Sequence, residues 1–332
     1  MRALLTRFFN HVWYGNAWQC MLFLPISWLY KQLVVLRRIL YRNHVLKSRA
    51  FDVPVIVIGN ITVGGSGKTP LVIWIIDVLR SAGYRPAIIS RGYRGNASTW
   101  PQQVRVDSDP TVVGDEAVLL AQRCKCPIAA GPDRGASIDA LLEHTDCNII
   151  IADDGMQHYA MQRDIEIAVV DGVRRFGNHR MLPAGPLREP VSRLDEVDFV
   201  VSNGVAGRGE YSMLVKGLVA RNLVSGQVVS LERFSGKTVH AVCGIGNPER
   251  FFIGLKQFGI KIIEHVFPDH HNYDMSVLSF TDDLPVLMTE KDAVKCQRFT
   301  LANSWAVPVE ADLNKHFAPR LLALLEKRKA NG

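Results

Sequence analysis

The sequence predicts an α/β protein: a mostly parallel sheet with helices on both faces, a second and smaller α/β lobe joined by a β-ribbon hinge, and an apolar membrane helix at the N-terminus. Three observations carry this. From Val53 onward, short apolar β-branched runs alternate with helical periodicities, the pattern of a parallel sheet covered on both faces. Residues 205–235 interrupt the alternation, which resumes at Thr238. The excess positive charge lies ahead of it all: eight of the 39 Lys and Arg precede Asp52 with no acid among them, and the other 31 face 32 Asp and Glu. The chain divides into a membrane-anchoring arm over 1–50, a main lobe over 51–210, a two-strand hinge over 211–235 and a smaller lobe with the C-terminal helix over 236–332.

With 48% apolar and 21% charged residues in 332, a large core is available, so a disordered or coiled-coil chain is excluded. A nucleic-acid binder would spread basic residues over the folded part, which here is near neutral, so no nucleic acid is expected. The six cysteines form no CxxC pair, which fits free thiols in a reduced compartment.

In the arm, Val12–Tyr30 carries no charge. As one helix it would be about 29 Å long, enough for a hydrocarbon core of ~30 Å. Trp13, Tyr14 and Trp18 near one end and Trp28 and Tyr30 near the other resemble aromatic belts. Lys31, Arg37, Arg38, Arg42, Lys47 and Arg49 follow, so the positive-inside rule places the rest of the chain in the cytoplasm. One span continued by a basic interfacial helix is the reading, with a monotopic helical hairpin as the alternative.

In the main lobe, Val53–Gly59 reads as a buried strand and Thr69–Ser81 as a helix on the spacing of Leu71, Trp74, Ile75, Val78 and Leu79. Ala87–Ser90, Pro127–Ala130, Asn148–Ala152, Ile165–Val170 and Phe199–Val201 read as strands, with helices over Gly114–Arg123 and Gly135–His144. Tyr211–Leu218 and Gln227–Phe234 are the two ribbon strands. The smaller lobe has strands near 238–243, 260–267, 286–289 and 305–309, then a helix over Asn314–Lys327.

Between the first strand and helix runs Thr62-Val63-Gly64-Gly65-Ser66-Gly67-Lys68-Thr69. Glycines let backbone N–H groups turn inward around phosphate oxygens, at the positive end of a helix. Lys68 would reach the β- and γ-phosphates and the Thr69 hydroxyl would ligate Mg²⁺. Thr62 stands where the usual spacing has glycine, and Gly64 and Gly65 supply the flexibility. The main lobe is therefore P-loop NTPase-like. No guanine-reading NKxD run occurs, since Thr289-Glu290-Lys291-Asp292 has the wrong order, so ATP is favoured.

Asp153 and Asp154 end a strand of nearly pure Ile, where a carboxylate enters the ligand crevice and can hold Mg²⁺. Asp115, in Gly-Asp-Glu, is either a helix cap or a functional carboxylate. His270 and His271, in Phe-Pro-Asp-His-His-Asn-Tyr, fit a metal site, an acid–base group or a plain loop. Arg188 and Glu189 set a cation beside an anion on the proline-rich loop 183–190.

Together these runs resemble the tetraacyldisaccharide 4′-kinase (lipid A 4′-kinase) family. The resemblance includes GGSGKTP, SRGYRG at 90–95, GDE at 114–116, ADDGMQH at 152–158, LPAGPLREP at 182–190, CGIGNPERFF at 243–252, FPDHHNY at 267–273 and TEKDAVK at 289–295. It implies MgATP-dependent phosphorylation of the 4′-hydroxyl of an acylated glucosamine disaccharide 1-phosphate, giving lipid IVA. It implies action at the cytoplasmic face of the bacterial inner membrane, among its phospholipids, with no obligate protein partner evident. It assigns phosphate binding to Lys68, Mg²⁺ to Thr69, the metal and catalytic centre to Asp153 and Asp154, a base to Asp115 paired with His270, and groups near phosphate and metal to Arg188 and Glu189. A membrane-tethered ATPase switch is the rival reading; product analysis separates the two, because a kinase moves phosphate onto lipid and a switch releases it to water.

Overall fold

The computed structural model describes residues 2–15, 17–299 and 302–330. Its arm comprises α1 (Arg2–Tyr14), a 3-10 turn over Trp18–Phe23 and α2 (Leu24–Arg42). The main lobe follows as β1 (Val55–Gly59), α3 (Lys68–Ser81), β2 (Pro86–Ser90), β3 (Gln102–Gln103), α4 (Pro110–Val113), α5 (Asp115–Cys124), β4 (Ile128–Ala130), α6 (Arg134–His144), β5 (Ile149–Asp153), β6 (Ile165–Asp171), β7 (Phe199–Asn203) and β8 (Tyr211–Lys216). The smaller lobe holds β9 (Val219–Asn222), β10 (Val228–Ser230), β11 (Thr238–Cys243), α7 (Pro248–Gln257), β12 (Lys261–Val266), α8 (Met275–Leu278), β13 (Val286–Thr289), α9 (Glu290–Cys296) and β14 (Ser304–Val307). The chain then returns to the main lobe as β15 (Glu310–Leu313) and α10 (Phe317–Ala330).

The larger sheet has the order β15-β8-β7-β6-β1-β5-β2-β4-β3, parallel except at its two edges. β1 lies between β5 and β6, both parallel to it. Its successive residues are buried on both faces. Ile56 and Ile58 meet Leu71, Ile75 and Leu79 of α3 on one side. Val55 and Val57 meet Ile138 of α6 on the other. Successive connections from β1 run to opposite sides of it, so a crevice opens at its carboxyl end. The smaller sheet, β10-β9-β14-β13-β11-β12, is parallel from β14 to β12.

Three expectations change. Val12–Tyr30 is not one helix: α1 stops at Tyr14, and Asn16 within the stretch lies outside the described residues. Pro25 opens α2 at its first turn, where a missing N–H costs nothing. The segment Trp18–Arg42 is long and apolar enough to cross a membrane by length and composition, and 11% of its apolar window is buried.

The ribbon also differs. Strand 211–216 does not pair with 227–234; β8 pairs with β15 and β9 with β14, both antiparallel. One ribbon thus crosses both sheets, and its register slips between Arg221↔Ala306 and Lys216↔Glu310, where one strand carries an extra residue. Gly217 sits at the slip, and a Cβ there would meet Val307 Cγ1 at 3.0 Å. Finally, the C-terminal helix belongs to the main lobe: Phe317, Leu321 and Leu325 are fully buried in the core under α3.

Candidate active site

The phosphate loop is shaped by contacts to neighbours on both flanks. Gly67 has φ 95°, the left-handed region that favours glycine. A Cβ there would also lie 2.3 Å from Asn203 Nδ2. Asn203, at the end of β7, donates to the Ser66 carbonyl at 3.1 Å. On the other flank Val63 N donates to Pro186 O at 2.8 Å, and Arg188 N to Ile61 O at 2.7 Å. The proline-rich loop is therefore stitched to the phosphate loop. Gly64 and Gly65 are exposed at the tip, while Thr62 and Ser66 are buried.

Lys68 opens α3, with its ammonium 3.3 Å from Asn60 Oδ1 and 3.4 Å from Asp154 Oδ1. Arg188 Nη1 reaches Asp154 at 3.2 Å and donates to Gln157 Oε1 at 3.0 Å. Burial opposes ionisation of Asp154, but Lys68 and Arg188 outweigh it and hold the carboxyl at about 2. Asp154 has φ 50°, a strained conformation that turns its side chain toward these two cations. Thr69 follows on the first turn of α3 and is half-buried.

Asp153, the last residue of β5, has different surroundings. Burial, Glu116 and Asp154 push it up to about 7, against the attraction of Lys68 and Arg134. Its Oδ1 is buried without a hydrogen-bond partner. Glu189 accepts from Tyr159 at 2.6 Å, and Arg193 Nε is 3.3 Å from its other oxygen. That Oε2 is likewise buried and without a hydrogen bond. No cluster of three or more His, Cys, Asp or Glu able to hold a metal occurs among the described residues. Mg²⁺ does not need one, since it binds one or two carboxylates, waters and substrate phosphates. The orphaned Asp153 oxygen fits such an ion, and Thr69 offers a hydroxyl at the loop's end of α3.

Asp115 begins α5, behind Gly114, and is buried. His270 Nδ1 of the smaller lobe lies 2.9 Å from both of its oxygens. Burial raises Asp115, but the His270 hydrogen bond and the charges of Lys291 and Lys295 outweigh that, leaving it below the usual carboxylate range. His270 holds its position with φ 59°. His271 points elsewhere: its ring stacks on Phe267 at 4.9 Å and meets Tyr273 edge-on. Arg94 of the SRGYRG run donates to the Asp269 carbonyl at 3.1 Å, and Tyr93 stands 5.2 Å from the His270 ring.

Lys68, Asp154 and Arg188 meet beside the phosphate loop and Asp115 meets His270, whereas His271 turns away and Glu189 contacts Tyr159 and Arg193; three further residues that matter were missed. Arg134, at the first turn of α6, is 2% exposed and donates to the Asp153 carbonyl at 2.9 Å. Burial brings it down to about 10. Its signal was available: a cation at a helix N-terminus opposes the dipole, so another partner must hold it there. Lys291, from the run dismissed as a guanine motif, reaches Glu116, Asp269 and His270 at once. Asn203 gave no sequence signal.

The arm touches the same region. Trp13 Nε1 donates to Pro183 O at 2.9 Å, Ser27 Oγ to Met181 O at 2.8 Å and Tyr30 OH to Arg188 O at 3.2 Å. Its other face is open, with Trp18, Met21, Leu22, Trp28, Leu29 and Leu33 exposed.

Comparison with known proteins agrees with this fold. A tetraacyldisaccharide 4′-kinase of Nitrosococcus oceani is 52% identical over 322 residues, covering 96% of this chain and 95% of that protein. One of Methylobacillus flagellatus is 47% identical, covering 98% of both. The crystal structure of LpxK from Aquifex aeolicus in complex with ATP superposes with a TM-score of 0.79 at 29% identity, covering 93% of this chain and 99% of that one. The family model for LpxK, tetraacyldisaccharide-1-P 4′-kinase, matches residues 19–326, and the chain belongs to that family.

Proposed function

We propose that this protein transfers the γ-phosphate of ATP to the 4′-hydroxyl of a tetraacylated glucosamine disaccharide 1-phosphate, forming lipid IVA for lipid A. The observation that carries the reading is the meeting of two clusters in one crevice: Lys68–Asp154–Arg188 beside the phosphate loop, and Asp115–His270 across the lobe boundary.

The residues divide the work. Backbone N–H groups of Val63–Thr69 cradle the phosphates. Lys68 and Arg188 neutralise charge on the transferring group, and Asp154 keeps both cations in place. Thr69 and Asp153 would hold Mg²⁺, and Glu189, whose Oε2 is buried without a hydrogen bond, is the further carboxylate assigned to the metal. The ion would offset the negative charge of the phosphates. Asp115 accepts the proton of the 4′-hydroxyl, and His270 orients and stabilises that carboxylate.

The arm brings the enzyme to its lipid. Its exposed apolar face enters the cytoplasmic leaflet of the inner membrane, and Lys31, Arg37 and Arg42 meet anionic phospholipid headgroups, while Arg38 ties α2 to Glu196 of the main lobe. The seating of Trp13 and Tyr30 against the Pro183–Arg188 loop favours a monotopic arm lying along the surface over a span that leaves the domain.

Purified protein, labelled ATP and the disaccharide lipid in mixed micelles test the reading. Label on the lipid is expected. Label released only as inorganic phosphate would leave the ATPase switch.

A further inference from the structure

Lys291 occupies a position that the reaction as described does not use. It lies on α9, with its ammonium 2.9 Å from Glu116 Oε1, 3.1 Å from Asp269 Oδ1 and 3.2 Å from His270 Nε2. An ammonium has three protons and no acceptor, so all three protons are engaged. Glu116 belongs to the main lobe, and Asp269 and His270 belong to the smaller one. Burial disfavours the charge on Lys291, but Glu116, Asp269 and Asp115 over-compensate and raise it above the usual lysine range. It is cationic at any working pH.

A donor-only group on Nε2 fixes the imidazole. Nε2 must accept from Lys291, so its lone pair is occupied. Nδ1 must then carry the proton, which it shares with the two oxygens of Asp115 at 2.9 Å. We infer that Lys291 is a positioning residue that holds His270 as a neutral ring, protonated on Nδ1 and barred from a second proton on Nε2. The inference rests on the reading of Asp115 and His270 as the proton-handling pair.

The consequence falls on Asp115. Lys291 and Lys295 already hold its carboxylate below the usual range, and a neutral ring that donates one hydrogen bond adds no third charge against its basicity toward the substrate hydroxyl. Beside an imidazolium it would be a weaker base. The other charged groups facing the ring agree with this. Lys295 stands 4.0 Å from Asp115 Oδ2, and Asp269 Oδ1 is 3.7 Å from Nε2 but already bound by Lys291. Tyr93 contributes only its ring, and Arg94 bonds to the backbone carbonyls of Asp269 and His270. Lys291 also explains why one histidine of the pair is selected: the His271 ring is taken up by Phe267 and Tyr273.

Nitrogen spectra of full-length protein labelled at histidine, in lipid nanodiscs at neutral pH without substrate, test this directly. His270 should show a protonated Nδ1 and an unprotonated Nε2. In Lys291→Met both nitrogens should read as protonated, and in Lys291→Arg, which keeps a donor-only cation, the neutral ring should return. In parallel, Lys291→Met should lower kcat by about tenfold or more of the ~10²–10⁴ a base supplies. It should also move the acid limb of the kcat profile to higher pH and leave the KM for ATP unchanged. A doubly protonated ring, or one protonated on Nε2 alone, in the unsubstituted protein would overturn the inference. So would a Lys291→Met spectrum identical to it. Because the ring is measured without turnover, such a failure is distinct from failure of phosphate transfer to lipid, which the labelling assay reports.

Discussion

Asp115 and His270 are held 2.9 Å apart by different lobes, one at the start of α5 and the other in the loop after β12. Such a pair exists only while the lobes are together, so the Asp115 carboxylate, on the same lobe as the phosphate loop, gains its imidazole partner only on closure. Two further bonds brace that closure beside the phosphate loop: Arg174 donates to Gly246 O at 3.0 Å and Arg250 to Asn203 O at 3.1 Å.

Residues that act as a unit lose their effect together. Asp115→Ala and His270→Ala should each lower kcat by roughly 10²-fold or more, and the double variant should be little worse than the poorer single. His271→Ala should cost far less in kcat, since that ring packs on Phe267 rather than on Asp115. Steady-state kinetics of the four proteins check this. Losses that multiply independently would break the pair.

Lys68→Ala removes one of two cations on Asp154 and the one proposed to meet the phosphates. Transfer should fall below detection while the circular dichroism spectrum and melting profile stay close to the parent. Arg188 remains on Asp154, so the carboxylate is not left unpaired. Near-full turnover by the variant would remove Lys68 from the mechanism.

Asp153 gives a pH-dependent prediction. The folded protein holds its proton up to about 7, well above the unfolded-chain value of ~3.9. The folded state therefore binds the proton more tightly. Metal-free stability is unaffected below about pH 4, falls as pH rises toward 7, and carries the full penalty above that. Asp153→Asn is nearly isosteric and cannot ionise. Without Mg²⁺ it should melt higher than the parent at pH 8, by at most ~4 kcal/mol of stability, with the gain shrinking toward pH 5. It should also lose transfer. Thermal melts at the two pH values check the sign. A gain that is larger at pH 5 would contradict the raised ionisation.

How much of this was readable in the sequence depends on whether the signal was local. β1, the phosphate loop and α3 are contiguous, so the apolar run, the glycines and Lys68-Thr69 specify them directly. Asp153 was readable because a strand of buried Ile ends there. The partner of strand 211–216 was not, because it lies roughly 100 residues away at 310–313 and such long-range register leaves no local trace. The same holds for Lys291. Its neighbours on α9 spell an ordinary short helix; the fold of the smaller lobe brings His270 to its ammonium, and only the meeting of the lobes brings Glu116. Arg134 lay between the two cases, since its sign was wrong for a helix N-terminus. The arm was readable as apolar and basic, but not as seated on the loop that carries Arg188.

That seating separates two effects that a simple truncation would merge. Trp13 and Tyr30 bond to Pro183 and Arg188 carbonyls, whereas Trp18, Leu22 and Trp28 face outward, each more than half exposed. If the outward face only docks the enzyme, Trp18→Asp with Leu22→Asp should weaken activity on lipid in bilayers and leave activity on lipid in micelles near the parent. If the inward face positions the proline-rich loop, Trp13→Ala should lower activity on both. One lost hydrogen bond of about 1 kcal/mol corresponds to several-fold in rate where the loop must hold Arg188 on Asp154. Removing residues 1–30 should therefore combine the two losses, giving a protein that is easier to solubilise yet impaired even on micellar lipid. Vesicle sedimentation and transfer assays on both substrate forms distinguish the cases. Full micellar activity after removal of 1–30 would make the arm a tether alone, and equal activity in bilayers would deny it even that role.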